Sequence, residues 1–354
     1  MTTVRVTSGG NLVAGVSLKD IAKRAGVSVA TVSNVVNGYR PVGEATRERV
    51  RRAIDELGYS PNLSARHLRG GRTGIIALAI PELNNPYFAE LAEATIREAG
   101  KHGYIVLLDH TNGDRDKELL VCQDFRAQVI DGLILSPVQL DRTDVLNRTS
   151  KTPMVLIGER VYGVPYDHIA IDNTAASAAA MQHLLDIGRR RIAFIGAQAD
   201  VNRQPAHLRL LGYRKALRTA GLPFDPHLVV TTAQFGRRDG AAGLRQLMTL
   251  PSPPDAVFAY NDLIAIGAMH AARELGVAVP DDVAVVGFDD IDEGRYSNPT
   301  LTTISPDKDG IGSRAVASLI GRLQGSRDDR PEEIQVPFAL VTRQSTLGLD
   351  LVHR

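Results

Sequence analysis

Apolar residues near the start of the chain recur at helical spacing in two short segments separated by a glycine. The first segment follows Ser17, a residue type that caps helices, and it ends at Gly26, a residue type that commonly terminates them. The second segment follows Ser28 and has an apolar face opposite a mostly polar one. The pattern predicts two short helices joined by a tight turn. The positions on the two apolar faces are Leu18, Ile21, Ala22, Ala25, Val32, Val35 and Val36.

A third helical pattern runs from about residue 44 to residue 57 and supplies an apolar stripe that can close a three-helix core. From Gly74 onward, short unbroken apolar runs alternate with helical stretches. Such alternation predicts parallel sheets covered by helices on both faces, and the number of repeats fits two α/β units. The predicted strands are Gly74 to Ile80, Tyr104 to Leu108, Gly132 to Leu135, Met154 to Ile157, His168 to Ile171, Arg191 to Gly196, Ala256 to Tyr260 and Val283 to Phe288.

The two opening segments have the spacing of a helix-turn-helix. Ala22 allows close contact between the helices, Gly26 makes the turn, and Val32 is buried between them. An ordinary αα-hairpin has the same spacing, so spacing alone leaves a purely structural role open.

The distribution of charge favours nucleic-acid binding. Residues 1–72 contain twelve Lys and Arg against five Asp and Glu, a balance of +7, although the whole chain carries only +1. The remaining residues therefore carry −6. A basic module joined to an acidic body is typical of proteins that contact the phosphate backbone.

The composition describes a globular protein with more than one domain. The chain has 354 residues, of which 44% are hydrophobic and 23% charged. The single Cys122 excludes an internal disulfide framework and fits a reducing compartment. Because no apolar run reaches the length of a membrane span or signal peptide, we expect a cytoplasmic protein with a flexible tail over residues 1–15.

Three stretches together resemble the lac-repressor family of bacterial transcriptional regulators: Leu18 to Asn37, Tyr59 to Asn62, and Ala65 to Leu68. The resemblance implies a small all-α helix-turn-helix domain over residues 16–59 and a hinge helix with linker over residues 60–73. It also implies an α/β core over residues 74–354, built like a periplasmic binding protein from two doubly wound parallel-sheet lobes. The implied partners are a pseudo-palindromic double-stranded DNA operator, a small-molecule effector of carbohydrate type, and a second copy of the chain in a homodimer, with a tetramer left open.

The free face of the second helix is the predicted DNA-reading surface. In the family the hinge leucine, matched by Leu68, wedges into the minor groove; the alternative is that Leu68 only fastens the linker to the core. The predicted DNA-binding residues are Ser28, Val29, Ala30, Thr31, Ser33, Asn34, Asn37, Arg66 and Leu68.

The resemblance places lobe one at about residues 74–171 and 303–333 and lobe two at about 172–302 and 334–354, with the effector in the cleft between them. Asn261 and Asp289 are also ordinary cap and turn residues, and Arg209 could be an exposed helix charge. Asp172 and Asn173 match a further family motif but can be structural. The predicted effector-binding residues are Tyr87, Phe88, Arg209, Phe235, Asn261, Phe288 and Asp289.

One departure from the family concerns the end of the strand that stops at Ile157. Many relatives carry a ligand-binding aspartate there, whereas this chain reads Gly158-Glu159-Arg160. The identity of the effector therefore cannot be carried over through that position.

No enzyme motif accompanies these features. The chain lacks the glycine-rich nucleotide loops, the nucleophile elbow and the histidine spacing of zinc sites, so we expect no catalysis, no cofactor and no metal. The acidic run from Asp289 to Glu293 does not fit a calcium loop and is better explained as a turn after a strand. The rival interpretation is a solute-binding protein with no role at DNA, which the basic amino terminus and the absence of a secretion signal disfavour.

Overall fold

In the computed structural model the chain divides into two compact units that separate between Arg72 and Thr73. The structure describes residues 16–37, 41–59, 72–123, 129–198, 204–326 and 330–348, and for Asn37 and Gln204 it describes only the backbone. The predicted tail over residues 1–15, the hinge segment up to residue 71, and the side chains of Asn37, Arg66 and Leu68 lie outside this description.

The first unit contains the three predicted helices. They are α1 (Leu18–Ala25), α2 (Val29–Asn37) and α3 (Glu44–Leu57). One residue from each helix is fully buried at their centre, namely Ile21, Val32 and Val50. The apolar pattern thus forms a single small core, as the sequence predicts.

The second unit contains two six-stranded sheets, one in each lobe. The lobe-one sheet has the order β11-β5-β4-β3-β1-β2, and all its neighbouring strands are parallel. Its strands are β1 (Ile75–Ile80), β2 (Ile105–His110), β3 (Gly132–Leu135), β4 (Met154–Ile157), β5 (Asp167–Ala170) and β11 (Glu333–Gln335).

The lobe-two sheet has the order β12-β10-β9-β8-β6-β7. Its strands run parallel except for β12, which pairs antiparallel with β10 at the edge of the sheet. They are β6 (Ile192–Ala197), β7 (Val229–Thr231), β8 (Ala256–Ala259), β9 (Ala284–Phe288), β10 (Thr302–Pro306) and β12 (Phe338–Val341).

Helices cover the sheets and bury their apolar strands. The helices of this unit are α4 (Pro86–Lys101), α5 (Arg115–Cys122), α6 (Arg142–Leu146), α7 (Asn173–Asp186), α8 (Gln204–Thr219), α9 (Arg237–Met248), α10 (Asp262–Glu274), α11 (Asp292–Tyr296), α12 (Lys308–Gln324) and α13 (Gln344–Leu347). In lobe one α4 packs on α12, and in lobe two α7 packs on α8 and α9 on α10.

The contact between α9 and α10 depends on two glycines. A Cβ on Gly240 would lie 2.0 Å from the carbonyl oxygen of Ile264, and a Cβ on Gly267 would lie 1.9 Å from that of Arg237. Each helix therefore lies directly against the backbone of the other. This close packing fixes the start of α10, which borders the cleft.

The chain crosses between the lobes three times: after β5, after β10 and after β11. Backbone hydrogen bonds tie the crossings together. Val336 N donates to Ala170 O over 2.8 Å, and Asp307 N donates to Pro337 O over 3.1 Å. The three crossings thus form one hydrogen-bonded hinge.

The position of the second crossing differs from the boundary expected between residues 302 and 303. That boundary would cut through β10, whose residues from Thr302 to Pro306 all belong to the lobe-two sheet. The chain returns to lobe one only at α12, because β10 completes its pairing with β9 and β12 before the chain leaves.

Candidate functional site

Local hydrogen bonds fix both the start of α1 and the turn that joins it to α2. Ser17 N donates to the Asp20 carboxylate over 2.9 Å, and Asp20 N donates back to Ser17 Oγ over 3.4 Å, so the two residues form a capping box. The Ser17 hydroxyl also donates to the Asp20 carboxylate over 2.6 Å, and this bond together with the one from Ser17 N lowers the pKa of Asp20. Gly26 has φ = 64°, a left-handed conformation that glycine adopts without strain, and its N–H satisfies the carbonyl of Ala22.

Helix α2 presents the predicted DNA-reading residues on the side away from the core. Val29 is 41% exposed and Ala30 is also exposed, while Asn34 is half-buried. Val32 on the opposite side is fully buried. The structure therefore separates a packing face from a face that is open to solvent within this unit.

Two of the predicted DNA-binding residues have structural roles as well. Ser28 Oγ accepts the N–H of Thr31 over 3.0 Å and lies 2.8 Å from the Thr31 hydroxyl. Ser28 thus caps α2, and the amino terminus of α2 is fixed by this pair. Ser33 is half-buried between the two faces.

At the cleft, Arg209 on α8 is almost fully buried and surrounded by acceptors. Its Nε donates to Asn173 Oδ1 over 2.7 Å, Nη1 donates to the carbonyl of Tyr260, and Nη2 lies 3.8 Å from the Asp289 carboxylate. Its guanidinium carbon lies 3.5 Å from the centroid of the Phe288 ring and 4.4 Å from that of Tyr260. The guanidinium plane is therefore held between two rings.

Glu159 brings a second carboxylate to the same site from the end of β4 in lobe one. Its carboxylate accepts the N–H of Ile171 over 3.3 Å. Burial raises the pKa of Glu159, and the nearby Arg209 acts in the opposite direction. The site thus combines one guanidinium with carboxylates from both lobes.

Asn173, at the start of α7, contributes a donor that the surrounding protein does not satisfy. The side chain is 1% exposed, and its Oδ1 accepts from Arg209. In the described part of the chain its Nδ2 makes no well-formed hydrogen bond, although the Glu159 carboxyl group lies close enough for Asn173 to lower the pKa of Glu159. Since buried amides normally have partners, this orphan N–H group is a candidate ligand donor.

Asp289, which follows β9, has a backbone conformation that is rare for a residue with a side chain. Its φ is 115°, and the next residue, Asp290, has φ = 48°. Burial raises the pKa of Asp289 to about 8, against the opposing effect of Arg209. The neighbouring Asp262 is also buried, which raises its pKa to about 6 although it accepts hydrogen bonds from Thr303 and Ile291.

Aromatic side chains line the cleft from both lobes. Tyr87 and Phe88 at the start of α4 meet edge to face with ring centroids 5.1 Å apart. Phe235 stacks on Tyr260 with centroids 3.9 Å apart. Burial raises the pKa of Tyr260 to about 12 and also raises that of Tyr87. Phe288 is fully buried and its ring lies against the Arg209 guanidinium, so this ring is not an exposed surface of the cleft.

Asn261 lies at the predicted place, and both ends of its side chain have protein partners. Oδ1 accepts the N–H of Ile264 over 2.9 Å and so caps α10, while Nδ2 donates to Phe235 O over 3.1 Å. Asn261 therefore positions Phe235 and the start of α10.

The structure adds three residues that sequence reasoning did not assign to the site: Glu159, Asn173 and Tyr260. Each directly follows a strand end or begins a helix at the cleft, which was the available signal. The predicted turn after β9 is also explained, because Asp290 binds Arg343 over 2.7 Å and Arg295 over 3.2 Å.

Comparisons with known proteins agree with this arrangement. The family described as "Bacterial regulatory proteins, lacI family" matches residues 17–62, and the "Periplasmic binding protein-like domain" matches residues 181–346. The ribose operon repressor of Escherichia coli (strain K12) is 35% identical over 309 residues, which cover 87% of this chain and 93% of that protein.

Two solved structures are similar over nearly the whole chain. The lac repressor dimer bound to operator and the anti-inducer ONPF has a TM-score of 0.79 at 28% identity, covering 94% of this chain and 100% of that one. The complex of the transcriptional regulator CelR with cellobiose has a TM-score of 0.67 at 32% identity, covering 93% and 99%.

A helix-turn-helix unit followed by a two-lobed core with a polar cleft defines a ligand-responsive DNA-binding regulator. This chain belongs to the lacI family of bacterial regulatory proteins. Members of the family are transcriptional regulators. Among the described helices, none is long and apolar enough to cross a membrane.

Proposed function

We propose that this protein represses transcription by binding an operator through α2, and that an uncharged carbohydrate in the cleft controls this binding. The family assignment supports the regulatory role, and the ribose operon repressor and the CelR–cellobiose complex support a sugar as the effector. A bacterial regulator of this kind acts on the chromosome, so we propose that it functions in the cytoplasm.

The exposed side of α2 suits the major groove of DNA. Asn34 can bond bidentately to an adenine, and the exposed apolar groups of Val29 and Ala30 can contact a thymine methyl. In this proposal the hinge adds Leu68 as the minor-groove wedge and Arg66 as a backbone contact, and Asn37 lies at the end of the reading helix.

The surroundings of Arg209 are the observation that carries the proposal of an uncharged effector. Each of its three side-chain nitrogens already faces a protein oxygen: Nε and Nη1 donate to an amide and a backbone carbonyl, and Nη2 lies beside the Asp289 carboxyl group. The protein thus engages the guanidinium before any ligand enters. Carboxylates of Glu159 and Asp289 border the same space. Burial disfavours charge at this site, as the raised pKa values of both carboxyl groups show, so a buried anionic ligand would be disfavoured there as well. The hydroxyl groups of a neutral sugar can instead form hydrogen bonds with a carboxyl group in either protonation state.

The rings of Tyr87, Phe88 and Phe235 complete the proposed sugar site. A sugar ring has an apolar face of C–H groups, which packs well on an aromatic surface. The remaining donor, Nδ2 of Asn173, would then receive the acceptor that it lacks.

The partner we propose for the lobe-one edge is a second copy of this chain. The edge strand β2 exposes Ile105 (55%) and Leu108 (42%), and α4, which packs on β2, exposes Ile96 (43%). Exposed apolar groups on an edge strand are a typical interaction surface. A two-fold dimer would also present two reading helices to the two halves of a pseudo-palindrome.

Thermal unfolding of the full-length protein with D-ribose, cellobiose and D-ribose 5-phosphate tests the effector class. A ligand at about 100 times its dissociation constant adds about 2.7 kcal/mol to the free energy of unfolding, which raises the melting temperature of the core by about 5–10 °C. We expect a neutral sugar to give this shift. Stabilisation by the phosphorylated sugar alone would contradict the proposed uncharged effector.

The rival function, a solute-binding protein without a role at DNA, predicts the same melting shifts. It fails to explain the basic residues 1–72 and the match of residues 17–62 to the DNA-binding family. Retardation of operator-containing DNA by the same preparation, altered by the stabilising sugar, separates the two.

A further inference from the structure

The loop after β9 carries a cleft residue in a strained conformation. Asp289 and Asp290 have φ values of 115° and 48°, a region that residues other than glycine rarely occupy in succession. The conformation turns the Asp289 side chain towards Arg209 and leaves two adjacent backbone carbonyls to be satisfied elsewhere. Such a turn persists only where its surroundings hold it.

Lys308 holds both carbonyls. Its Nζ donates to Asp289 O over 2.7 Å and to Asp290 O over 2.9 Å, and it forms an ion pair with Glu90 Oε2 over 2.5 Å. An ammonium group has three N–H donors, so these three acceptors use all of them. The Lys308 side chain is 13% exposed, and its contacts are therefore largely protected from water.

These contacts join the two lobes. Lys308 is the first residue of α12 and Glu90 lies on α4, and both helices pack in lobe one. Asp289 and Asp290 follow a strand of the lobe-two sheet. The second carboxylate oxygen of Glu90 accepts the N–H of Asp292 over 3.3 Å, so Glu90 also reaches the same loop.

Asp290 is bound within lobe two by a separate set of groups. Its carboxylate contacts Arg343, Arg295 and the hydroxyl of Ser305. These bonds fix the side chain of Asp290 but leave its carbonyl and that of Asp289 to Lys308. The N–H of Asp289 donates to Ile304 O over 2.8 Å within lobe two, so it is the carbonyl side of the turn that depends on a side chain from the other lobe.

We propose that Lys308 is a positioning residue for effector binding, which acts through the backbone of Asp289 and ties the effector site to the arrangement of the lobes. When the lobes lie as in this structure, Lys308 fixes the turn that aims the Asp289 carboxylate at Arg209. A movement of α12 away from the loop releases the turn and withdraws that carboxylate. This inference rests on the proposed effector site, and it adds the element through which lobe movement and effector affinity are coupled.

The test compares Lys308→Met with a matched control, Arg97→Met. Arg97 pairs with Asp309, the residue after Lys308, so the control also removes an ion pair between α4 and α12. The Arg97–Asp309 pair does not contact the loop after β9.

The first measurement is hydrogen exchange of the amides of residues 289–292 in the full-length protein without ligand. We expect at least about 10-fold faster exchange in Lys308→Met and less than about 2-fold change in Arg97→Met. Equal exchange in Lys308→Met and the parent would overturn the proposal, whether or not any sugar binds.

The second measurement is the dissociation constant of whichever probe, D-ribose or cellobiose, stabilises the parent. We expect Lys308→Met to melt like Arg97→Met and yet to bind the probe at least about 10-fold more weakly, since a purely structural role would change both variants alike. Unchanged affinity in a folded Lys308→Met variant would also overturn the proposal. If neither probe stabilises the parent, the proposed effector class fails, and the exchange measurement alone decides the role of Lys308.

Discussion

Asn34 is the residue of α2 with the strongest capacity to distinguish bases. Its amide can donate to and accept from one adenine edge in the major groove, so Asn34→Ala should cost about 1–3 kcal/mol of operator binding and relax the preference at one symmetric base pair. A binding selection on random duplexes with parent and variant measures both effects.

The matched control is Arg51→Ala, which removes an exposed charge of the same unit without altering α2. It should leave the selected sequence unchanged, because charge supplies affinity without base preference. An Asn34→Ala variant that still selects the full parental sequence would show that another residue reads that base pair.

Single residues also show how far the site could be predicted from the sequence. Arg209 and Asp289 were predicted by resemblance and Phe235 as an aromatic wall, and all three lie at the cleft. The sequence left open that Asn261 caps α10, but it could not indicate that Nδ2 of Asn261 donates to Phe235 O, because this depends on a loop 26 residues earlier in the chain. Likewise, the sequence could not show that Glu159, which follows β4 in lobe one, lies near Arg209 on α8 of lobe two.

At the level of elements, helices α9 and α10 pack with their backbones in contact, because Gly240 and Gly267 have no side chains to separate them. In Gly267→Ala the new methyl group would lie 1.9 Å from Arg237 O, so the helices must separate. Overpacking of this kind typically costs about 1–3 kcal/mol of the free energy of unfolding. Chemical denaturation of the full-length protein, followed by circular dichroism, measures the loss.

The control for this helix pair is Gly100→Ala near the end of α4, where a Cβ would meet nothing within 4 Å. Alanine is the better helix former, so this variant should gain about 0.5–1 kcal/mol. Equal stability changes in the two variants would mean that the α9–α10 contact can relax at little cost.

Strands were predicted where the sequence contains an apolar run, whether or not the strand is buried. The eight predicted strands all exist, because each has an unbroken apolar run. The apolar pattern did not reveal β7 and β11, which have only three residues each and are partly exposed. The apolar pattern also did not reveal β10, because Thr302 and Thr303 are polar in sequence. Both threonines are nevertheless buried, since their hydroxyl groups donate to Arg343 O and to the Asp262 carboxylate.

At the level of the whole molecule, the cleft and the DNA-reading helix must communicate, and Arg209→Ala tests this. The variant removes the guanidinium that Asn173 Oδ1 and the Asp289 carboxyl group face, and so disturbs the proposed effector site, but it does not alter α2. We expect near-parental operator affinity without effector, and a need for at least about 10-fold more effector to change that affinity. Titration of operator-bound protein with the stabilising sugar measures both.

Arg214→Ala provides the control, since Arg214 lies on the same helix and stacks on Phe224 outside the cleft. It should titrate as the parent does. If the Arg209→Ala variant melted and responded to effector normally but no longer bound the operator, Arg209 would act in operator binding and not in effector binding.

The three crossings of the hinge also determine when the protein becomes functional during its synthesis. Lobe one requires α12 and β11 and is complete only when Gln335 has been added, and lobe two requires β12 and α13 and is complete only when Leu347 has been added. The three helices of the first unit are complete once Leu57 has been added. At about 5–20 residues per second, roughly 15–60 s of translation separate the two events. A nascent chain can therefore meet DNA on the ribosome well before it can sense a sugar.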